Sequence, residues 1–125
     1  MTRVQADVAS AVKDWLATQS IGADPVLSVP KGWVAATGPS LLLVADDGGP
    51  VVWPIKSQHT IRLTAYATGR TEARRIVVLA AGKLAESYPR VKRQDMGGVL
   101  DGRDKATGAM FASVLLTAHA KTVEV

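Results

Sequence analysis

The apolar residues near the N-terminus repeat with the period of a helix. They recur at three- and four-residue steps and so share one helix face: Val4, Val8, Ala11, Val12, Trp15 and Leu16. Thr2, followed three residues later by Gln5, has the form of a capping box, and Gly22 and Pro25 mark the end. The pattern therefore predicts an amphipathic N-terminal helix.

The segment HTIRLTAYATGRTEARR, residues 59–75, changes its period part-way along. Over residues 60–67 apolar and polar residues alternate, as in a strand with one buried face. The apolar positions then recur at helical steps: Ala73, Ile76, Val77, Ala80, Ala81 and Leu84. Because Pro89 disfavours helix at the residue before it, we expect this second helix to end near Ser87.

Short apolar runs separated by turn sequences lie between the two predicted helices. The runs are residues 26–29, 33–36, 41–45 and 51–53, and VPKG, TGPS and DDGGP stand between them. This predicts a meander of short antiparallel strands, the last of which is an edge strand or ends at Pro54, which has no amide donor. Residues 110–121 alternate again and predict a long strand that pairs with residues 60–67 or their neighbours.

Residues 89–107, PRVKRQDMGGVLDGRDKAT, combine charge and glycine with little periodicity. They predict a long, mobile loop or a loose hairpin around Val99 and Leu100, and loops of this length are often functional.

Length and composition indicate one domain. A chain of 125 residues, 47% hydrophobic and 21% charged, can form a single core. The element order predicts an α+β fold: a mostly antiparallel sheet with an N-terminal helix and a second helix packed on it. Cysteine is absent, which excludes disulfides and thiolate metal sites, and no stretch approaches the ~20 apolar residues of a membrane span. We expect a soluble, untargeted intracellular protein.

The second helix carries two aliphatic residues, Val78 and Leu79, beside its polar face. Scattered surface apolar residues are common, so this placement can be incidental. The alternative is a second buried surface against another subunit.

The pattern of polar residues does not predict an enzyme. His59 and His119 are the only histidines, and neither has a nucleophile or ligand at a recognised spacing. We expect the DDGGP carboxylates to form a turn rather than a metal site, and DGRD lacks the pattern of a calcium loop. Phosphate-binding glycine motifs are absent from the sequence, and we expect no cofactor.

The net charge of +4 permits contact with nucleic acid without requiring it. Arg62 and Tyr66 share one face of a predicted strand, and basic residues recur through residues 90–105. Acidic residues are interleaved there, so solvated loop charge is the simpler interpretation.

Four segments together resemble the tail terminator, or tail completion, proteins of long-tailed bacteriophages. They are ADVASAVKDWLA, the strand IRLTAYA, the helix RTEARRIVVLAAGKL, and DKATGAMFASVLLTAHAKTVEV with Asp104, Thr107 and Gly108 before a terminal strand. The resemblance covers most of the chain except the central hairpins. It implies an α/β protein with a mostly antiparallel sheet and no catalytic residues.

The resemblance also implies an assembly and its partners. Proteins of this family form a hexameric ring that caps the tail tube, ends its polymerisation and joins the tail to the head connector, while DNA passes through the lumen. We accordingly expect a virion protein of the tail neck, assembled in the bacterial cytoplasm. Another head-to-tail joining protein, such as a stopper or adaptor, and a small basic nucleic-acid-binding module are the alternatives.

Three groups of residues follow as expected contacts. The expected subunit interface is Arg74, Arg75, Val78 and Leu79. The expected contact loop for tube or connector is Arg90, Lys92, Arg93, Asp101, Arg103 and Lys105. The expected lumen or partner face is Arg62 and Tyr66.

Overall fold

The computed structural model describes residues 2–4, 6–49, 51–52, 55–89, 91–96, 98–121 and 123–124. For residues 51–52, 56, 92–96 and 124 it describes the backbone alone. The elements are β1 (Arg3–Val4), α1 (Val8–Ala17), β2 (Asp24–Val26), β3 (Leu41–Asp46), β4 (Val51–Val52), β5 (Lys56–Ala67), α2 (Arg70–Ser87), β6 (Val91–Met96), β7 (Leu100–Arg103), β8 (Met110–Lys121) and β9 (Val123–Glu124). The fold is α+β with a mostly antiparallel sheet, as the sequence predicts.

The sheet is built around two long strands. β5 and β8 pair antiparallel over their full length, from Lys56 opposite Lys121 to Ala67 opposite Met110. The order is β2-β3-β5-β8-β6, with β4 pairing to β5 and β7 pairing to β8. This confirms the predicted pairing of residues 110–121 with residues 60–67.

Both helices pack on the same face of the sheet. Alternation along the strands sends one set of side chains into a single core: Leu42, Val44, Ile61, Leu63, Ala65, Ala112, Val114, Leu116 and Ala118. Val8, Val12 and Leu16 of α1 and the apolar stripe of α2 belong to the same cluster. Within the described residues, the opposite face of β5 and β8 therefore carries no helix.

The predicted start of the first helix was wrong. Residues 3–4 form a strand that pairs antiparallel with β9, and α1 begins at Val8. The cap is Asp7, whose carboxylate accepts a hydrogen bond of 3.1 Å from the backbone N–H of Ser10. An Asp at this position satisfies an amide of the first turn as well as a threonine would, so two candidate caps competed in the sequence.

The central meander was also predicted incorrectly in part. Residues 33–36 are not a strand: residues 35–36 lie in a turn, and the indole N–H of Trp33 donates to the carbonyl of Pro39 at 2.9 Å. β2 runs parallel to β3, so the connection between them crosses over instead of forming a hairpin. In this region β3 and β4 each pair antiparallel with β5, as a meander of antiparallel strands would. Pro54, at which the last strand was expected to end, lies outside the described residues.

Residues 89–107 are not a long loop or a hairpin. β6 and β7 both pair antiparallel with β8, with Met96 opposite Leu116 and Leu100 opposite Ser113. The register of β6 shifts between Val91 and Met96, which is the irregularity of a β-bulge. A bulged edge strand lacks the regular alternation on which the sequence prediction depended.

Candidate functional site

The helix-free side of the sheet carries the main candidate site, which we call the open face. Six side chains on β5 and β8 define it: Arg62, Thr64, Tyr66, Phe111, Ser113 and Leu115. Each alternates in sequence with a residue of the core, so strand geometry directs it away from the helices.

The middle of the open face is an apolar groove of about 540 Å³. Leu115 and Phe111 of β8 lie along it, and Val99 and Leu100 close one side. Leu100 is 73% exposed and Leu115 is 40% exposed, so both leave aliphatic surface in contact with water. Exposed aliphatic side chains that converge in a groove are typical of an interaction site, whereas scattered ones are not.

A polar hollow of about 360 Å³ continues the groove towards the β7–β8 turn. Arg62 and Tyr66 line it together with Arg103, Asp104 and Lys105. The sequence placed Arg62 and Tyr66 in one expected contact and Arg103 and Lys105 in another. The fold brings the two groups together on one surface.

Aromatic rings border the hollow. Tyr66 lies between Trp33, at a centroid distance of 6.1 Å, and Phe111, at 6.3 Å. The Phe111 ring extends over Gly102 of β7, where a β-carbon would come within 2.8 Å of it. The rings therefore pack against each other and against backbone, which fixes the wall of the site.

Burial raises the pKa of the Tyr66 phenol, and the nearby Asp104 carboxylate raises it further. Both effects favour the neutral phenol over the phenolate. Tyr66 thus offers an uncharged hydroxyl beside the cationic side chains at neutral pH.

The Asp104, Thr107 and Gly108 motif forms the β7–β8 turn. The Asp104 carboxylate accepts from the Ala106 N–H at 3.1 Å and from the Thr107 hydroxyl at 2.7 Å. Gly108 has a φ of +74°, a conformation that glycine adopts without strain. The motif therefore acts as a turn former that positions Arg103 and Lys105 at the end of the open face.

The outer surface of α2 is a second candidate contact. Its N-terminal half forms a shallow depression lined by Arg70, Thr71, Arg74, Arg75 and Val78. Val78 is 49% exposed, as a contact residue should be, whereas Leu79 packs against the core. Leu79 is therefore partly buried within the subunit, and Val78 is the more exposed of the two aliphatic side chains.

The arginines of α2 are engaged within the chain. Asp101 accepts from Arg70 Nε at 3.0 Å and lies 3.6 Å from a guanidinium nitrogen of Arg74. Arg75 binds Glu72 through two hydrogen bonds of 3.0 and 2.6 Å, which lower the pKa of Glu72 and raise that of Arg75. Asp101, which the sequence assigned to the contact loop, therefore pairs with the arginines of α2.

Part of that expected loop cannot be placed. Arg90 lies outside the described residues, and for Lys92 and Arg93 only the backbone of β6 is described. Arg103 and Lys105 are the members of the group that the structure locates on the open face.

A buried polar chain involving His59 escaped the sequence analysis. His59 Nε2 lies 2.6 Å from the Ser57 hydroxyl, and Nδ1 lies 2.6 Å from an Asp46 carboxylate oxygen. A carboxylate can only accept, so Nδ1 donates, and in neutral His59 Nε2 accepts from the Ser57 hydroxyl. The sequence gives no sign of this contact, because neither partner of His59 lies at a recognised spacing. Ser57 lies at i−2 on the same strand, a spacing that carries no known motif.

This order of groups is that of a hydrolase triad, but its surroundings differ. Ser57 and His59 are 2% and 3% exposed and point into the layer between sheet and helices. The second Asp46 oxygen accepts from the Gly48 N–H at 2.8 Å, which confirms the predicted turn role of Asp46. The chain fastens the end of β3 to β5 and presents no exposed hydroxyl.

The remaining carboxylates and the other histidine are distributed over the surface and the sheet. Asp47 pairs with Arg62 at 3.0 Å, and His119 lies on β8 opposite Gln58. Within the described part of the chain, no three histidine or carboxylate side chains converge as a metal site would require. No helix in that part has the length and apolar character needed to cross a membrane.

Comparisons of the chain with protein-family models, curated proteins and solved structures give no match.

Proposed function

We propose that the protein is a structural subunit of the tail-terminator type, which forms a ring and docks other tail and neck proteins. In this proposal the ring caps the tail tube, stops its growth and joins the tail to the head connector. The expected ring is a homohexamer.

The observation that carries the proposal is the one-sided sheet. All helical packing is on one face, and the open face keeps exposed Leu100 and Leu115 in a groove flanked by basic side chains. Apolar surface exposed in this arrangement costs solubility, so its presence supports a docking role. Among the described residues, Asp46, His59 and Ser57 form the one hydrogen-bonded chain that resembles a catalytic triad. Ser57 and His59 are buried, which favours a structural role for this chain over catalysis.

The ring requires a contact between neighbouring copies. A head-to-tail ring uses two different patches on each subunit, and it closes only if the rotation per subunit is right. Val78, exposed at the centre of the α2 surface among Arg74 and Arg75, is the proposed centre of one patch. Its location on the helical layer leaves the open face free for a different partner.

The partners and location follow from the same proposal. The open face would meet the tube or connector, and genomic DNA would pass through the lumen without specific binding. Assembly would take place in the bacterial cytoplasm, and the mature position would be the tail neck of the virion. A stopper or adaptor role uses the same kind of surfaces and differs in the partner bound.

Oligomeric mass tests the proposed contact. The wild-type protein should form a closed oligomer by mass photometry, with hexamer as the expected mass, alone or on addition of tail tubes. Val78→Asp should shift the mass towards monomer, because it removes the apolar centre of the contact and adds a charge that must lose its hydration on association. Leu27→Asp is the matched control, since Leu27 is 46% exposed in the turn after β2 and should leave assembly intact. Equal effects of the two substitutions would contradict the proposed interface.

A further inference from the structure

We infer that the open face binds an extended peptide segment of a partner protein that combines acidic and apolar side chains. The inference rests on the proposed function, because it names the chemistry of the partner that the open face would dock. The groove, the charge at its end and the adjoining strand edge each contribute one part of this specificity.

The groove supplies the apolar part of the recognition. Val99, Leu100, Phe111 and Leu115 line it, and Ser113 contributes the small polar group between them. Burying aliphatic surface such as that of Leu100 and Leu115 is favourable in proportion to the area removed from water. The partner must therefore present apolar side chains to this part of the face.

The end of the face supplies the charge preference. Arg103 and Lys105 are exposed, and no carboxylate among the described side chains lies within ion-pair distance of either. The nearest acidic residue in sequence, Asp104, uses its carboxylate to hold the turn. Arg103 and Lys105 outnumber Asp104 at this end of the face, so a partner with negative side chains complements it.

The edge of the sheet favours an extended partner. β7 pairs with β8 along one side and with no second strand in the described part of the chain. An unpaired strand edge offers backbone N–H and C=O groups to an added strand, whose alternate side chains would then lie on the open side of the sheet beside Leu100. Leu100 and Gly102 lie on the open side of β7, opposite Ser113 and Phe111.

A second copy of this chain is a poorer occupant through its α2 surface. The carboxylates beside that surface, Glu72 and Asp101, are already paired with Arg70, Arg74 and Arg75. The α2 surface therefore offers Arg103 and Lys105 little negative charge to bind. The two surfaces of the subunit are therefore assigned to different partners.

Nucleic acid is also less suited to the groove. Stacking requires an aromatic face open to a base, but Tyr66 packs between Trp33 and Phe111, and Phe111 lies over Gly102. The most exposed apolar side chains of the groove, Leu100 and Leu115, are aliphatic, and Arg62 also lines it. A phosphate backbone would gain from the two cations and nothing from Leu100 or Leu115.

Titrations of isotope-labelled protein followed by NMR test the inference. The probe is a ten-residue peptide of alternating leucine and glutamate; the comparison probes are the leucine and lysine peptide and ten-nucleotide oligo-dT. We expect the acidic peptide to shift the amides of Leu100, Ser113 and Leu115. The Arg103→Ala and Lys105→Ala double variant should bind about tenfold more weakly, because it removes two partly exposed charge contacts.

The control is Lys13→Ala, which removes one cation from α1 in the opposite layer and should leave the affinity unchanged. Leu115→Ser tests the apolar part and should weaken binding while the circular dichroism spectrum stays that of the wild type. Equal affinity for the lysine peptide, tighter binding of oligo-dT, or no shift up to about 1 mM peptide would each overturn the inference.

The test separates this inference from the proposed function. Rings that form normally while the acidic peptide gives no shift would overturn the inference and leave the ring standing. A strictly monomeric protein that binds the peptide at Leu100 and Leu115 would support the inference and overturn the ring.

Discussion

His59 donates through Nδ1 to the Asp46 carboxylate at 2.6 Å, and this bond joins the last residue of β3 to the first half of β5. Nε2 of the same imidazole lies 2.6 Å from the Ser57 hydroxyl, from which it accepts when the ring is neutral. The imidazole is buried, whereas the Asp46 side chain is 26% exposed. Asp46 therefore has two structural roles: it forms the turn through Gly48 and it holds the end of β3 to β5 through His59.

Asp46→Ala should destabilise the fold by on the order of 1–3 kcal/mol, since it leaves a buried imidazole N–H without its acceptor. Urea denaturation measures the change in the free energy of unfolding. The control is Asp24→Ala, at an exposed position of β2, which should change stability by less than about 0.5 kcal/mol. Equal values for the two variants would show that the buried chain contributes nothing.

Two glycine substitutions should have opposite effects. A β-carbon on Gly49 would lie 2.3 Å from the Gln58 carbonyl oxygen, and backbone cannot move aside easily, so Gly49→Ala should cost on the order of 1–3 kcal/mol. Gly82 lies within α2 and a β-carbon there meets nothing within 4 Å. Gly82→Ala should stabilise by about 0.5–1 kcal/mol, because alanine loses less backbone entropy in a helix. Thermal unfolding of both variants checks the signs.

Tyr66 should titrate above its ordinary pKa of 10.0, because burial and Asp104 both disfavour the phenolate. The unfolded chain would then release this proton first, so the free energy of unfolding should fall as the pH rises past about 10. Phenolate absorbance in a Tyr88→Phe background isolates the Tyr66 transition. Asp104→Asn should lower the pH midpoint of the Tyr66 transition but leave it above 10.0, because burial is the larger cause of the shift. A midpoint that does not respond would contradict the assigned contribution of Asp104.

Asp101→Asn should produce a small, salt-dependent loss of stability. The carboxylate pairs with Arg70 and Arg74, which are largely exposed, so the expected cost is below about 1 kcal/mol at low salt. At 1 M salt the Debye length falls to about 3 Å, and the difference from wild type should shrink. A cost that is unchanged by salt would show that the pair acts through packing.

The long elements were predictable because their periodicity is strong. Residues 60–67, the α2 segment and residues 110–121 each show a clear two-residue or helical repeat, and burial decides which face they present. The short elements were not predictable in the same way. Arg3–Val4 is a strand because it pairs with β9, and the bulged β6 is a strand because it pairs with β8. The local sequence of neither segment predicts that pairing.

The candidate site shows the same division. Alternation alone places Arg62 and Tyr66 on one strand face, but only the β7–β8 pairing brings Arg103 and Lys105 beside them. Likewise, nothing in the spacing of Asp46, Ser57 and His59 indicates that they share a hydrogen-bonded chain. Contacts between residues distant in sequence require the tertiary fold to be known.

Electron microscopy of the purified protein tests the central claim most directly. The proposed function predicts closed six-fold rings of about the width of a phage tail, formed by the protein alone or at the ends of added tail tubes. Val78→Asp should remove the rings, while Leu27→Asp should keep them. Particles that remain monomeric at every concentration, with no density at tube ends, would contradict the claim.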